Sequence, residues 1–233
     1  MFFPPFNEEV ARYERKFMVD AMTDHALEQQ IRLHPAAFSP IFHPRNVNNI
    51  YLDTTEFDFY YDNISGKSSR RKARIRWYGE VQGIISKPVL EFKIREGMLG
   101  NKISFSLQPF RVDENLNQDQ LFEIFRNSDL PLWALENLLH FKPALLNRYR
   151  RKYFLSFDQK FRLTIDNELN YFGIGGNNNN FLESYSCENV IVELKYERKY
   201  DDIAPLVTNK LPFRLTKSSK YVNGIEFLHP TLA

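Results

Sequence analysis

Lys72-Ala73-Arg74-Ile75-Arg76-Trp77-Tyr78-Gly79-Glu80 alternates polar and apolar residues almost without a break. Side chains two apart on a strand share a face, so Lys72, Arg74, Arg76, Tyr78 and Glu80 line one side. Ala73, Ile75 and Trp77 line the other. The pattern recurs outward along the chain. Glu91, Lys93 and Arg95 oppose Leu90, Phe92 and Ile94; Glu193 and Lys195 oppose Val192 and Leu194. Arg12, Glu14 and Lys16 align near the start, and Arg162, Thr164 and Asp166 align opposite Leu163 and Ile165. Alternating segments are expected near Arg12–Val19, Asn48–Asp53, Lys72–Val81, Val89–Arg95, Lys102–Leu107, Tyr149–Phe157, Phe161–Leu169 and Val190–Tyr196. About eight strands with few helices predict a mainly β (α+β) antiparallel system, a sandwich or a closed barrel.

Three helices are expected between these strands. Thr23 or Asp24 caps Met22–Leu33, with Leu27 and Ile31 one turn apart. Asn117 caps a second, with Leu121, Ile124 and Phe125 on one face. Pro131 suits the first turn of a third, which carries Leu135, Leu138 and Leu139. Gly173-Ile174-Gly175-Gly176 followed by Asn177 to Asn180 lacks the spacing of a dinucleotide fingerprint and reads as a flexible hairpin connection. No linker or repeat divides the chain, so residues 1–233 read as a single domain.

Composition excludes several classes. The 233 residues carry 31 Lys+Arg against 29 Asp+Glu, a net charge of +2, so nothing pulls the whole surface towards nucleic acid or anionic lipid. With 9 Gly and 12 Pro the chain is neither collagenous nor of low complexity, and 21 Phe and 12 Tyr favour strands. The one cysteine, Cys187, excludes an intramolecular disulfide or a cysteine-rich zinc site. His25, His34, His43, His140 and His229 are scattered without ligand spacing. No run approaches the ~18 apolar residues that span a bilayer, and Met1 to Phe6 is too short for a signal peptide. A reducing, cytoplasmic setting is expected.

Charged alternation by itself describes a solvated sheet face. Such a face normally mixes Ser, Thr, Gln and Asn with its charges, whereas here charged residues recur on strand after strand. Like charges on neighbouring strands repel unless a multivalent anion lies between them. Closed inward, these faces make a cation-lined lumen with a few carboxylates. That lumen suits a polyphosphate chain, with forked contacts from Arg, point charges from Lys and a divalent metal on the carboxylates. Trp77 and Trp133 read as core, with stacking on adenine at a tunnel mouth as the alternative.

The segments 12–17, 51–54 (Tyr51-Leu52-Asp53-Thr54), 72–79, 91–93, 149–154, 162–166, 193–195 and Ser219-Lys220-Tyr221, in that order, resemble the VTC polyphosphate polymerase domain of the triphosphate tunnel metalloenzyme (CYTH-like) superfamily. The resemblance runs from about Arg12 to Gly224. It implies a closed antiparallel β-barrel tunnel with helices packed outside. It further implies a transferase that moves the terminal phosphate of ATP onto a growing polyphosphate chain with Mn2+ or Mg2+. Arg74 and Arg76 then bind nucleotide phosphates, with Lys93 and Lys16 as further lumen cations. Tyr149 and Arg151 match the family's Tyr-x-Arg pair. Lys102 fills the lysine position after the Glu-x-Lys strand, and Ser219 with Lys220 matches the phosphate-binding pair near the end. Glu193 matches the metal-holding carboxylate; Glu14 and Glu91 orient cations or assist the metal, and Lys195 fits either role. Arg74, Arg76, Lys93 and Arg151 are the catalytic candidates.

The acceptor is itself a phosphate oxyanion, so in-line positioning and charge neutralisation suffice without a nucleophilic side chain. Triphosphatases and cyclases of the superfamily carry Glu-x-Glu-x-Lys on the first strand, where this chain has Arg12-x-Glu14-x-Lys16. That change counts against hydrolysis of a free triphosphate, the first rival reading. A non-catalytic polyphosphate-binding module is the second. ATP, polyphosphate and pyrophosphate are the expected ligands, with no nucleic acid. Relatives in which this domain is fused to membrane segments imply two arrangements for a chain that shows no membrane segment of its own: freestanding, or attached to a separate membrane protein partner at the inner face of a membrane.

Overall fold

The computed structural model describes residues 2–19, 22–174, 179, 181 and 184–232. Its first half runs β1 (Arg12–Val19), α1 (Asp24–Arg32), β2 (Ser39–Asp53), α2 (Asp58–Ile64), β3 (Ser69–Tyr78), β4 (Gly83–Ile85), β5 (Val89–Glu96), β6 (Leu99–Ser106) and β7 (Phe110–Val112). Then come α3 (Gln118–Arg126), α4 (Leu132–Leu138), β8 (Lys142–Leu155), β9 (Phe161–Phe172), β10 (Tyr185–Cys187), β11 (Val190–Glu197), α5 (Ala204–Thr208), β12 (Arg214–Thr216) and α6 (Lys220–Leu228).

Eight strands close into an antiparallel ring in the order β9-β11-β1-β6-β5-β3-β2-β8, with β8 pairing back onto β9. The ring is uneven. Between β1 and β6 only Arg12↔Gly100 and Tyr13↔Leu99 pair, and β12 takes over beside β1 at Lys16 to Met18. The expected closed tunnel is therefore the architecture found. Alternation explains it: the outward apolar faces bury against helices, and the charged faces turn in.

Two apolar clusters do that burying. Leu27 and Ile31 of α1 pack with Phe17, Leu163, Ile165, Val192 and Leu194. Leu121 and Phe125 of α3 and Leu138 of α4 belong to the second cluster with Ile50, Ile75, Trp77, Leu90 and Phe92. The expected caps are in place: the Thr23 hydroxyl accepts from Ala26 N at 3.3 Å, and Asn117 forms a reciprocal capping box with Gln120.

The last long helix, α6, behaves differently from the others. Its Tyr221 ring stacks on Tyr51 at 5.1 Å. At Gly224 a Cβ would stand 2.6 Å from the Tyr171 ring and 2.8 Å from Leu145. In register, Tyr51 opposes Arg74 and Leu145, and Tyr171 opposes Asn147, so these side chains share the inner face. This helix fills one end of the ring, and only glycine allows it so close.

Some elements differ from the sequence reading for identifiable reasons. β2 begins at Ser39 rather than near Asn48, and β8 at Lys142 rather than Tyr149. Pro40, Pro44 and Pro143 lie in the stretches left outside the expected strands. The strands instead absorb them at register shifts between Pro40 and Phe42, Phe42 and Arg45, and Tyr51 and Leu52. Helix α2 has Phe57 at φ 58° as its N-cap and no capping side chain there. Asp53 and Thr54 do that work from the strand end: Asp53 accepts from Phe59 N at 3.0 Å and Tyr60 N at 3.1 Å. Most of the glycine- and asparagine-rich segment expected to connect a hairpin, 175–178 and 180, lies outside the described residues.

Candidate active site

Strands β3 and β5 pair Arg74 directly with Glu91, and Lys72 with Lys93. Glu91 is buried and fully engaged. Arg74 donates from Nε at 2.7 Å and approaches with Nη2 at 2.6 Å, while Lys102 Nζ donates to the other oxygen at 2.6 Å. Arg76 Nη1 stands 3.6 Å away. Burial opposes ionisation of Glu91, but Arg74, Arg76 and Lys102 outweigh it and hold the carboxyl below the usual carboxylate range. Both guanidinium groups are further oriented from β2 and β8. Tyr51 OH accepts from Arg74 at 3.4 Å, Asn49 Oδ1 from Arg76 at 2.9 Å, and Tyr149 OH from Arg76 at 3.2 Å.

Strands β1 and β11 build a second centre. Their register sets Glu14 opposite Lys195 and Lys16 opposite Glu193. Lys16 Nζ lies 3.4 Å from Glu14 and 3.5 Å from Glu193; Lys195 Nζ lies 3.5 Å from Glu14 and 3.1 Å from Glu193. Two lysines are thus shared by two carboxylates. Lys93 closes on Glu14 from β5 at 2.7 Å. Burial works against both carboxylates, yet the surrounding ammonium groups keep Glu14 and Glu193 well below the ordinary range. Burial also pulls the Lys93 ammonium down to about 8; Glu14 opposes this, and Lys195 and Lys16 reinforce it.

A third anchor lies on β8 and β9. Arg151 forks onto Asp166 at 2.5 and 2.6 Å, and Lys220 reaches the same carboxylate at 2.6 Å. Arg151 also stands 3.4 Å from Glu193, which links this anchor to the second centre. Ser219 caps α6 by accepting from Val222 N at 3.2 Å, and it accepts from Lys72 Nζ at 2.7 Å. Lys72 has no carboxylate partner among the described residues. Burial, with Lys16 and Lys93 nearby, holds its ammonium well below the usual lysine range. Behind α6, Tyr221 donates to the buried Asp53 carboxylate. That bond fixes the helix that delivers Ser219 and Lys220. Burial raises Asp53 even against four donors.

All thirteen residues expected from the sequence therefore meet on the inner face or at the start of α6. They do not form one cluster. Glu91 sits with Arg74, Arg76 and Lys102, apart from the other two expected metal carboxylates. Asp166, Lys72, Asp53, Asn49 and Tyr51 were assigned no role from sequence. Asp166 and Lys72 were legible as members of charged faces, Tyr51 and Asp53 only as part of the 51–54 segment of the resemblance, and Asn49 gave no signal beyond its place in a strand. Trp77 is buried in the core and donates to Glu80 O at 2.8 Å, and Trp133, partly buried, rests on Phe92 at 5.1 Å.

Among the described residues no group of three or more His, Cys, Asp or Glu is arranged to hold a metal alone. Glu14 and Glu193 offer two carboxylates on adjacent strands, with Lys16, Lys93 and Lys195 around them. Magnesium-type ions are commonly held by one or two carboxylates plus substrate phosphate oxygens and water. The donor set fits that mode.

Residues 11–229 match the VTC domain family. No curated protein matches the sequence. Solved structures share the fold at low identity. The Hippeastrum protein HpAC1, assigned as an adenylyl cyclase and shown to have a dominant triphosphatase activity, superposes with a TM-score of 0.51 at 14% identity, covering 92% of this chain and 95% of its own. A Vibrio parahaemolyticus protein assigned as an adenylate cyclase gives 0.53 at 10% identity, covering 91% and 97%. Another so assigned, from Bacillus halodurans, gives 0.51 at 16%, covering 89% and 93%.

Proposed function

This chain belongs to the VTC domain family and has the fold of the triphosphate tunnel metalloenzymes, and on that premise we propose that it is a metal-dependent polyphosphate polymerase. Family and fold support a polyphosphate-related or triphosphatase function. The finer reading, transfer of the terminal phosphate of ATP to a polyphosphate end, rests on one observation. Nine cations (Lys16, Lys72, Arg74, Arg76, Lys93, Lys102, Arg151, Lys195 and Lys220) face four carboxylates inside a closed ring. Five positive charges are left for a polyanion, in a site where water is restricted and their effect is large.

In this reading Arg74 and Arg76 bind the donor phosphates, their forks aimed by Glu91, Tyr51, Asn49 and Tyr149. Arg151 and Lys220, held by Asp166, face the transferred group together with Lys93. Lys16, Lys102, Lys195, Tyr149 and Ser219 hold the flanking phosphates. Glu14 and Glu193 would hold Mn2+ or Mg2+, which would supply Lewis-acid neutralisation of phosphate oxygens. No side chain has to remove a proton, because the attacking phosphate is already an oxyanion. Lysine and arginine donors then neutralise charge as the phosphoryl group passes.

Arg12 in place of a first-strand carboxylate supports transfer over hydrolysis. The triphosphatase activity of the Hippeastrum protein keeps hydrolysis as the second reading. Residues 1–233 act as one unit in this proposal, in a reducing cytoplasm. Among the described residues no helix is long and apolar enough to cross a membrane; a separate membrane protein partner remains part of the proposal. The test is incubation with ATP and Mn2+, with and without pyrophosphate, read by phosphorus NMR. Growth of internal-phosphate signal, absent from Arg74→Ala, is the expected result. Orthophosphate alone moves the assignment to the hydrolase, and binding without turnover moves it to a receptor.

A further inference from the structure

The end of the ring opposite α6 carries an aromatic cluster that the phosphate site does not use. Tyr78 ends β3 two residues beyond Arg76, and Tyr153 follows Arg151 by two on β8. Phe42 opposes Tyr153 in register, and Arg45 opposes Arg151. The Arg45 guanidinium lies 4.6 Å from the Phe42 ring centre, 5.5 Å from Tyr78 and 5.6 Å from Tyr153. Phe42 meets Tyr153 edge to face at 5.5 Å. Arg151 links the cluster to the lumen, its guanidinium 5.9 Å from the Tyr153 ring.

Three features separate this cluster from ordinary packing. Phe42 is 49% exposed and Tyr78 51%, so about half of each side chain is open to solvent at the rim. Among the described residues Arg45 makes no hydrogen bond or ion pair, which leaves its five N–H donors free. The position is also telling, because two residues along a strand span about 7 Å. That places the rings one ribose beyond the guanidinium groups of Arg76 and Arg151.

We infer that Phe42, Arg45, Tyr78 and Tyr153 form the platform for the nucleobase of the donor. The nucleotide enters at the end away from α6, phosphates inward and base outermost. Aromatic faces stack on any base, and a guanidinium adds both a cation over the rings and donors for the ribose or the nearest phosphate. The platform thus favours a nucleoside triphosphate over inorganic triphosphate with little choice among bases. The inference deepens the polymerase reading and rests on its assignment of the lumen to nucleotide phosphates.

Equilibrium titration tests it with two probes, a non-hydrolysable ATP analogue and inorganic tripolyphosphate. Phe42→Ser with Tyr78→Ser is expected to weaken the analogue about tenfold, equal to ~1.4 kcal/mol. Tripolyphosphate affinity is expected to change less than twofold. Tyr78→Ser alone, at an exposed position, provides the same comparison if the double variant folds poorly, and Tyr78→Trp is expected to keep or tighten analogue binding. Equal weakening of both probes, or of neither, overturns the platform. Because binding is read without turnover, a wild-type protein that fails to polymerise refutes the polymerase reading and leaves this result standing.

Discussion

The two carboxylate centres of the lumen both set glutamate against basic side chains yet differ in how their charges are held. On β3 and β5, Glu91 receives Arg74 and Lys102 at 2.6–2.7 Å and is closed off by burial. On β1 and β11, Glu14 and Glu193 share Lys16 and Lys195 at 3.1–3.5 Å, with Lys93 on Glu14 at 2.7 Å and Arg151 3.4 Å from Glu193, so most of their partners are lysines. An arginine fork fixes direction as well as charge, whereas a lysine is a point charge on a flexible stem. The first centre is therefore suited to aiming two guanidinium groups. In the proposed reading the second releases its lysines to phosphate and accepts a divalent ion in exchange. Sequence spacing alone treats the three glutamates as equivalent; their partners across the strands separate them.

The difference can be broken by substitution. Glu193→Gln or Glu14→Gln is expected to lower turnover at least ~10²-fold, the scale of losing one preorganised electrostatic contact, and to abolish stimulation by Mn2+ in initial-rate measurements. Glu91→Gln should leave the metal dependence intact. It strands two buried guanidinium groups, so urea unfolding should show a loss of about 3 kcal/mol, with poorer use of ATP. Asp166→Asn is intermediate: Arg151 and Lys220 lose their common anchor, and turnover should fall roughly tenfold with a rise in KM for ATP.

A smaller effect comes from pH. The Lys93 ammonium is held down to about 8, so affinity for tripolyphosphate should fall as pH rises through that value. Stability should move the other way. Between about 8 and the ordinary lysine value of 10.5, the unfolded chain binds more protons at this site than the folded one. Its contribution to stability therefore rises with pH across that window. Titration of the Lys93→Met variant, which should lack both trends, checks the assignment.

How much of this was readable beforehand varied along the chain. The alternation around Arg74 and Arg76 located the inner face, because a period of two leaves no choice about which side chains align. The ends of β2 and β8 were hidden, since Pro40, Pro44 and Pro143 signal breaks unless bulges absorb them. Helix α6 was hidden too: Asn223-Gly224 reads as a turn, and only the close approach to Tyr171 and Leu145 explains a glycine there. For the site, residue types and motif order brought the thirteen candidates together. The proposed division between aiming and metal-holding carboxylates was not legible, because it depends on which strands become neighbours and in what register.

Manganese binding read by electron paramagnetic resonance in the presence of a non-hydrolysable ATP analogue tests this division most directly. Wild type and Glu91→Gln are expected to bind the ion with similar affinity, and Glu193→Gln to lose it at least tenfold (~1.4 kcal/mol). Loss of the ion from Glu91→Gln together with its retention in Glu193→Gln would contradict the account.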